Sequence, residues 1–292
     1  MSDSPLTADQ ARLVFVGTGG GAHVERCHAC VALELSSQEV VLLDTAGGFQ
    51  VIRNLEYARV DLSAIKHIFI SHRHSDHIGG LEPLLLHIGL HALSTKRRAG
   101  VVSVYAHSIV IRAAQIILEA MASAAPALLR MTEQEIRWVA LEPERAVELR
   151  PGVQLTPFSV DHEPLDGSHL GCRLDLALDE RHWSLVYSGD TRPVAALQAH
   201  AAGADVLLHE AGGVDANAAI VHVSGHTTAA EAARLARTAG VRRLYLCHVP
   251  HEAAIPAMLE EAAHHYDGLV RVPSDLESVA LSAFYSQALP AP

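Results

Sequence analysis

The segment ISHRHSDHIGG, at positions 70 to 80, carries three histidines and an aspartate within six consecutive positions. In an extended segment, side chains two residues apart point to the same side, so His72 and His74 are expected to face one point. Asp76 and His77 follow where the chain bends and can face a second point nearby. Imidazole and carboxylate groups are common metal ligands. The segment therefore offers two ligand pairs, enough for two adjacent metal ions.

The flanking residues predict that this loop is held rigidly. The apolar stretch HIFI (67 to 70) predicts a buried strand directly before it. Glycines 79 and 80 are expected to let the backbone turn into the helix that follows. A loop fixed between a strand and a helix is the rigid support that a metal site needs.

Two ligands are too few for one metal ion, so a metal site requires more ligands from later parts of the chain. Three later segments place such residues directly after apolar strands. FSVDHEP contains His162, LVYSGDT contains Asp190, and LYLCHVP contains His248. One histidine at a strand end is more often hydrogen-bonded than a ligand, but the whole set predicts a metal site at one edge of a sheet structure.

Composition narrows the classes of partner. The 292 residues are 49% hydrophobic, which is enough for a sizeable core. There are 33 acidic and 22 basic residues, and the net charge of -11 comes with no dense run of Lys and Arg. The chain is therefore a poor match for the phosphate backbone of a long nucleic acid. The 20 histidines, against two tryptophans and five phenylalanines, agree with metal binding.

The N-terminal segment MSDSPLTADQ has neither a basic n-region nor an apolar h-region. No apolar stretch approaches the ~20 residues that span a bilayer. The cysteines are too few and too scattered for a disulfide framework, and CHAC (27 to 30) has no second cysteine pair to complete a zinc site. We therefore expect a cytoplasmic protein with no membrane partner, in which the cysteines are packing residues.

Short apolar stretches alternate with helical patterns through both halves of the chain. They predict strands at 12–17, 30–35, 39–44, 67–70, 101–106, 153–159, 170–178, 183–188, 205–210, 243–248 and 276–281, and helices from about 49, over 81–93, over 108–125, after 193, over 228–240 and over 253–265. Two β-rich halves, each followed by helices, predict two sheets packed face to face with helices outside.

No linker rich in Gly, Ser or Pro separates the halves, so we expect one domain over residues 1–292. Residues 107–150 are the candidate for an inserted helical cap. The helical stretch from 107 to 130 is compatible with a lid over the substrate, with the contact face of a homodimer, or with part of the core. The sequence does not separate these three roles.

The order H-x-H-x-D-H, followed by a separate histidine, aspartate and histidine, resembles the metallo-β-lactamase-fold hydrolases over nearly the whole chain, from LVFVGTGGG to LYLCHVP. That resemblance implies an α/β fold, an αββα sandwich of two mixed β-sheets flanked by helices. It implies two divalent metal ions, with zinc as the expected metal and manganese or iron as alternatives. The implied ligands are His72, His74 and His162 for one ion, Asp76, His77 and His248 for the other, and Asp190 as the bridge.

Four further segments resemble the ribonuclease Z branch of these hydrolases: VFVGTGGG, LLDTAGG, LLHEAGG and SGHTTAAEAA. The resemblance implies that His226 lies near the metals and donates a proton or hydrogen bond to the substrate, oriented by Glu210. It also implies that Asp44 fixes a ligand histidine. Gly212 stands where the branch has threonine and Thr227 where it has serine, which changes the hydrogen bonding there.

The candidate catalytic residues are thus Asp76, His226 and Glu210. In the implied mechanism a metal-bridging hydroxide attacks an ester whose oxygen the cations polarise, and His226 stabilises the developing charge or protonates the leaving oxygen. Bacterial ribonuclease Z carries a long tRNA-gripping arm between the motifs that match His162 and Asp190, which here are only 28 positions apart. We therefore expect a phosphodiesterase for a small, nucleotide-like substrate in place of a tRNA 3′ endonuclease.

Other hypotheses stay open. A carboxylic ester, lactone, thioester or aryl sulfate hydrolase would use the same metal ligands. A mononuclear iron dioxygenase of this fold would leave Asp76, His77 and His248 without a role as a set. A non-catalytic binding protein is disfavoured because every expected ligand position is filled. Among the remaining histidines, His209 is expected to support the ligands. His169, His222 and His251 are candidates either for the pocket or for the surface.

Overall fold

A computed structural model of the chain describes residues 7–8, 10–36, 39–96, 100–121, 134–163, 166–178 and 181–284. Within these ranges the chain forms two seven-stranded sheets. The first sheet has the order β14-β1-β2-β3-β4-β5-β6. Its strands are β1 (Arg12–Gly17), β2 (Cys30–Ser36), β3 (Glu39–Leu43), β4 (Ile65–Phe69), β5 (Val101–Ala106), β6 (Glu135–Ala140) and β14 (Ser278–Ala280).

The second sheet has the order β13-β12-β11-β10-β9-β8-β7. Its strands are β7 (Val147–Arg150), β8 (Val153–Ser159), β9 (Leu170–Leu178), β10 (Arg181–Tyr187), β11 (Val206–Glu210), β12 (Arg243–Cys247) and β13 (Leu269–Arg271). Both sheets are mixed: β3 to β6 pair in parallel, as do β10 to β13, and the other pairings are antiparallel.

Helices cover the outer face of each sheet. They are α1 (Gln50–Tyr57), α2 (Ser75–Ile78), α3 (Leu81–Thr95), α4 (Ser108–Met121), α5 (Ala195–His200), α6 (Ala218–Val223), α7 (Ala229–Ala239) and α8 (Ile255–His265). Apolar residues of α1, α3 and α4 pack on the first sheet, and those of α5, α7 and α8 pack on the second. A third cluster, which includes Phe15, Leu174 and Trp183, fills the space between the sheets. The predicted αββα sandwich is confirmed.

The region 107–150 differs from the helical cap that the sequence suggested. Its first part, α4, packs into the core of the first sheet through Val110, Ile111 and Ala114. Its last part forms β6 and β7, one edge strand of each sheet. The helical interpretation is therefore wrong for 135–140 and 147–150. The predicted continuation of α4 beyond Met121, to residue 125, lies outside the described residues.

The carboxyl ends of the central strands meet at one edge of the sandwich. The loops after β3, β4, β8, β10, β11 and β12 all carry polar residues that the sequence singled out. Since ligands of open α/β sheets bind at the carboxyl ends of strands, we expect a binding site at this edge. Along the described ranges, no helix combines the length and the apolarity needed to cross a membrane.

The two glycines of the histidine loop have a different role from the one predicted. Gly79 and Gly80 have ordinary right-handed φ values of -63° and -85°, so the turn itself does not require glycine. A Cβ atom at Gly80 would instead lie 1.9 Å from the carbonyl oxygen of Thr45. The absence of a side chain lets the 44–47 loop pack directly on the start of α3.

Gly80→Ala should therefore destabilise the fold by about 3 kcal/mol, because backbone and not a flexible side chain must move. Gly240→Ala is the matched control. Gly240 ends α7 as predicted, with φ 65°, and a Cβ atom there would meet no other atom within 4 Å. The cost at Gly240 should be only about 1 kcal/mol, for the left-handed backbone. Chemical denaturation of both variants measures their free energies of unfolding. An equal loss of stability in the two variants would contradict this explanation of Gly80.

Candidate metal centre

The strand-end loops bring two groups of ligand-type atoms together. In the first group, one nitrogen from each of His72, His74 and His162 lies within 4.8 Å of the others. His74 Nδ1 is 3.0 Å from His72 Nε2 and 3.1 Å from His162 Nε2. Tetrahedral ligands at zinc-nitrogen bond lengths would be about 3.3 Å apart, so this spacing suits a shared cation.

The second group consists of Asp76, His77, Asp190 and His248, again with one ligand atom each within 4.8 Å of the others. Asp76 and His77 lie on α2, directly after His74. His248 Nε2 is 3.2 Å from Asp76 Oδ2, and His77 Nε2 is 3.4 Å from the same oxygen. Imidazole and carboxylate groups thus alternate around this point.

Asp190 joins the two groups. Its Oδ2 atom lies 3.2 Å from Nε2 of both His77 and His248, and 3.8 Å from Nε2 of both His72 and His162. This oxygen therefore stands between the first group and the second. The position is the one that a carboxylate shared by two cations would occupy.

Two buried atoms of this centre are not satisfied by the described part of the chain. Asp190 Oδ1 and His77 Nε2 have no hydrogen-bond partner among the described residues, although His77 lies close to Asp190. A buried polar atom left without a partner costs free energy. Nitrogen and oxygen lone pairs that converge without hydrogen bonds fit a bound divalent cation, so the residues present fit the metal that the sequence predicts.

The buried carboxylate of Asp44 orients one ligand in each group. His77 Nδ1 and the Tyr187 hydroxyl each donate to Asp44 Oδ2 at 2.7 Å. The Ser71 amide donates to Oδ1, and the Ser71 hydroxyl donates to Oδ2, both at 2.7 Å. Ser71 Oγ then accepts from His72 Nδ1 at 3.0 Å. In both rings Nδ1 is thus engaged by the chain, and Nε2 is the nitrogen that would bind a metal.

His162 is oriented by the main chain. Its Nδ1 atom donates to the carbonyl oxygen of Gly225 at 2.8 Å, which leaves Nε2 directed at the first group. Gly225 has φ 87°, and a Cβ atom there would lie 2.5 Å from His162 Nδ1. Only glycine can bring its carbonyl group this close to the ring.

Asp44 and His248 adopt left-handed backbone conformations, with φ values of 58° and 54°. Such values are uncommon for residues other than glycine and are found where the surrounding structure holds them. Asp44 is held by its four hydrogen bonds. The backbone carbonyl and ring of His248 pack against Gly20, where a Cβ atom would lie 3.0 Å from that carbonyl.

His226 and Glu210 form the predicted pair beside the two groups. His226 Nδ1 donates to Glu210 Oε1 at 3.0 Å, and the Thr191 amide donates to the same oxygen at 2.9 Å. One nitrogen of His226 lies within 4.8 Å of ligand atoms of His162 and Asp190. Burial by itself lowers the pKa of His226, but the Glu210 carboxylate raises it to about 9. The ring is therefore protonated at neutral pH in the metal-free protein.

The electrostatics of the ligands follow from burial and from their carboxylate neighbours. Burial lowers the pKa of His72, and it lowers that of His162 to about 4. His77 is also buried, but the carboxylates of Asp190 and Asp44 raise its pKa well above the usual value. Burial opposes ionisation of Asp190, yet the neighbouring His248 and His77 hold its pKa well below its usual value. His72 and His162 are therefore neutral imidazoles and Asp190 is an ionised carboxylate, the forms that bind metal, whereas a cation bound at His77 would displace its proton.

The structure brings together every ligand candidate from the sequence, and it adds supporting residues that the sequence did not reveal. These are Ser71, Tyr187, Thr191 and Gly225. Tyr187 and Thr191 carried a weak signal, since both flank Asp190 in the segment LVYSGDT. Nothing in the sequence indicated the role of Gly225, because its contact with His162 is made by a main-chain carbonyl group, which every residue has.

Other features of the sequence lie apart from the ligand atoms. His209 is buried and its Nδ1 atom donates to the carbonyl oxygen of Glu210, so it does not support a ligand directly. Cys27, Cys30 and Cys247 are buried in apolar clusters, as expected for packing thiols. His222 is partly exposed and pairs with Glu231 at 2.9 Å.

Residues 40–249 match the family model described as Beta-lactamase superfamily domain. The chain belongs to the β-lactamase superfamily. Two relatives named ribonuclease Z support this membership. The one from Methanothermobacter thermautotrophicus is 29% identical in an alignment of 311 positions, gaps included, that covers 94% of this chain and 98% of the relative. The one from Shouchella clausii is 31% identical over 276 residues, which cover 81% and 86%.

Solved structures of the superfamily share the fold. The protein YhfI from Bacillus subtilis superposes with a TM-score of 0.73 at 19% identity, covering 93% of this chain and 99% of YhfI. The short form of human tRNase Z superposes with a TM-score of 0.70 at 21% identity, covering 92% and 99%. Family membership, the relatives and the ligand cluster together identify this superfamily member as a metal-dependent hydrolase.

The contact between His226 and Glu210 predicts a raised pKa for the His226 ring. In metal-free protein, His226 should hold its proton up to a pH of about 9, because the Glu210 carboxylate favours the charged ring. Glu210→Gln removes the negative charge and leaves the burial, so the His226 pKa should fall below that of the unchanged protein. Nuclear magnetic resonance titration of the ring signals measures both values, and an unchanged pKa in the variant would refute the pairing.

Proposed function

We propose that this hydrolase is a dinuclear metal phosphodiesterase that acts on a small, nucleotide-like phosphodiester. His72, His74 and His162 would hold one cation, and Asp76, His77 and His248 the other, with Asp190 shared by both. Zinc is the proposed metal, because these nitrogen and oxygen ligands suit it, and manganese and iron are the alternatives. The observation that carries the proposal is the placement of Asp190 Oδ2 within 3.8 Å of histidines from both groups.

Two cations bound there would lower the pKa of a water molecule toward neutrality and polarise the ester oxygen. The residues of the chain supply the rest. Asp44 fixes His77, and through Ser71 also His72, so that both groups keep one geometry. His226 is protonated at neutral pH in the metal-free protein and lies beside Asp190, where it can donate a proton to the leaving oxygen. Glu210 keeps that ring oriented and charged.

The surroundings of the site favour a small substrate. The span between His162 and Asp190 is occupied by the β9–β10 hairpin, in the part of it that is described, and leaves no room for a long arm. Arg73 and Arg192, the arginines next to ligand residues, are already paired with carboxylates: Arg73 contacts Asp166, and Arg192 lies 3.2 Å from Asp161 and 3.1 Å from Glu163.

A polyanion such as tRNA would need unpaired basic groups along its path. The paired arginines and the net charge of -11 therefore disfavour it. A tRNA 3′ endonuclease is nevertheless the second candidate, because the ribonuclease Z of Methanothermobacter thermautotrophicus aligns with 94% of this chain. Hydrolysis of a carboxylic ester, lactone, thioester or aryl sulfate remains the alternative in which the metal site is the same and the substrate class differs.

Initial rates on one substrate panel separate these functions. The panel contains an aryl phosphodiester, cyclic nucleotides, an aryl sulfate, a lactone, a thioester and a precursor tRNA with a 3′ trailer, each with zinc-loaded and manganese-loaded protein. We expect the small phosphodiesters to turn over fastest. Faster cleavage of the precursor tRNA would favour the endonuclease, and preference for the sulfate, lactone or thioester would overturn the proposed substrate class.

Two variants test the assigned roles. His226→Ala should keep its metal content and lose about 10²–10⁴-fold in turnover, because it removes only the proton donor. Asp190→Ala should lose metal, because it removes the carboxylate shared by both groups. Metal content by atomic emission and rates on the best substrate are measured together. Loss of metal from the first variant, or full activity in either, contradicts the assignment.

A further inference from the structure

His169 is a fourth imidazole against the first ligand group. It lies directly before β9 and is only 2% exposed. Its ring centroid is 5.2 Å from that of His72, 5.3 Å from that of His162 and 6.2 Å from that of His74. The three ligand rings are themselves 4.7 to 5.1 Å apart. The four rings therefore form one compact cluster, in which only His169 has no assigned role.

Within the described ranges, the nitrogens of His169 have no hydrogen bond that explains their burial. Nδ1 lies 3.8 Å from Asp166 Oδ1, which is too far for a hydrogen bond. The Asp166 carboxylate instead accepts hydrogen bonds from Ser168 and Arg73. Nε2 is buried and has no partner among the described residues. With its hydrogen on Nδ1, toward Asp166, the ring keeps a lone pair on Nε2.

A buried lone pair without a donor is destabilising, and a phenylalanine ring at this position would avoid that cost. The arrangement is explained if a donor joins the site when its cation is bound. His169 is not itself a ligand in this geometry, because its nitrogens do not join the ligand atoms of His72, His74 and His162 within 4.8 Å. Water beside the cation could donate this hydrogen bond to Nε2, since ordered water commonly satisfies buried polar groups.

We propose that His169 is a positioning residue of the first metal group, whose ring supports the three ligand imidazoles and whose Nε2 atom accepts a hydrogen bond from water that accompanies the bound cation. The inference rests on the two-metal centre of the proposed function. It does not depend on which ester the enzyme hydrolyses. Its prediction concerns metal affinity, because residues that support ligands typically change that affinity by 10–100-fold.

Three variants distinguish the contribution of the His169 ring from that of its Nε2 lone pair. His169→Phe keeps a planar ring without the lone pair, His169→Gln keeps an acceptor without the ring, and His169→Ala removes both. Competition of the whole protein with a chromophoric chelator measures the affinity of each zinc equivalent, and the visible spectrum after cobalt substitution reports the geometry of the ligands. His67→Ala is the control, since His67 is a buried histidine of β4 whose nitrogens contact Glu39 and Tyr105 instead of the ligands.

We expect His169→Phe and His169→Ala to bind one of the two zinc equivalents about 10–100-fold more weakly, with a changed cobalt spectrum, and His169→Gln to fall closer to the wild type. The control should keep both affinities. Wild-type affinity in His169→Phe would overturn the role of the lone pair, and wild-type affinity in His169→Ala would overturn the whole inference. A wild-type protein that binds fewer than two equivalents would instead overturn the two-metal centre of the proposed function.

Discussion

The site depends on the buried carboxylate of Asp44. A charge removed from water must be compensated by hydrogen bonds, and Asp44 receives them from the Ser71 amide, the Ser71 hydroxyl, His77 and Tyr187. These donors come from the first sheet and the second, because Asp44 and Ser71 follow β3 and β4 while Tyr187 ends β10. One anion thus ties the two sheets together at the edge where the ligands converge.

That arrangement also sets the ligand chemistry. Asp44 takes the Nδ1 hydrogen of His77 directly, and Ser71, held by Asp44, takes that of His72. The same carboxylate therefore fixes one nitrogen ligand in each group. Gly225 does the equivalent for His162 with a main-chain carbonyl. The candidate ligand atoms are therefore held in one geometry before any cation arrives, and such preorganisation is what makes a metal site effective.

Most of the fold was predictable from the sequence because its strands are apolar and short. β1, β5, β8 and β9 begin and end at the predicted residues. β6 and β7 were missed because edge strands are half-exposed: EIRWVA mixes charged with apolar residues, and VELR is only four residues long. The alternation of apolar and polar residues is a weak indicator of an edge strand, because one side of such a strand has no neighbouring strand.

The clustering of the candidate ligands was predictable because these residues are chemically distinctive and directly follow strands. The supporting contacts were not, since Ser71, Tyr187 and Gly225 are ordinary residue types whose roles arise from contacts across as many as 143 positions of the chain. The glycines of the histidine loop were singled out for the wrong reason. Their residue type shows that a side chain is excluded, but only the structure shows that Thr45 excludes it at Gly80.

The central claim is that Asp190 stands between two metal ions. Anomalous diffraction from crystals grown with zinc, recorded at the zinc absorption edge, tests it directly. We expect two anomalous peaks, one among His72, His74 and His162 and the other among Asp76, His77 and His248, with the Asp190 carboxylate in contact with both. A single peak, or peaks that do not contact Asp190, would contradict it.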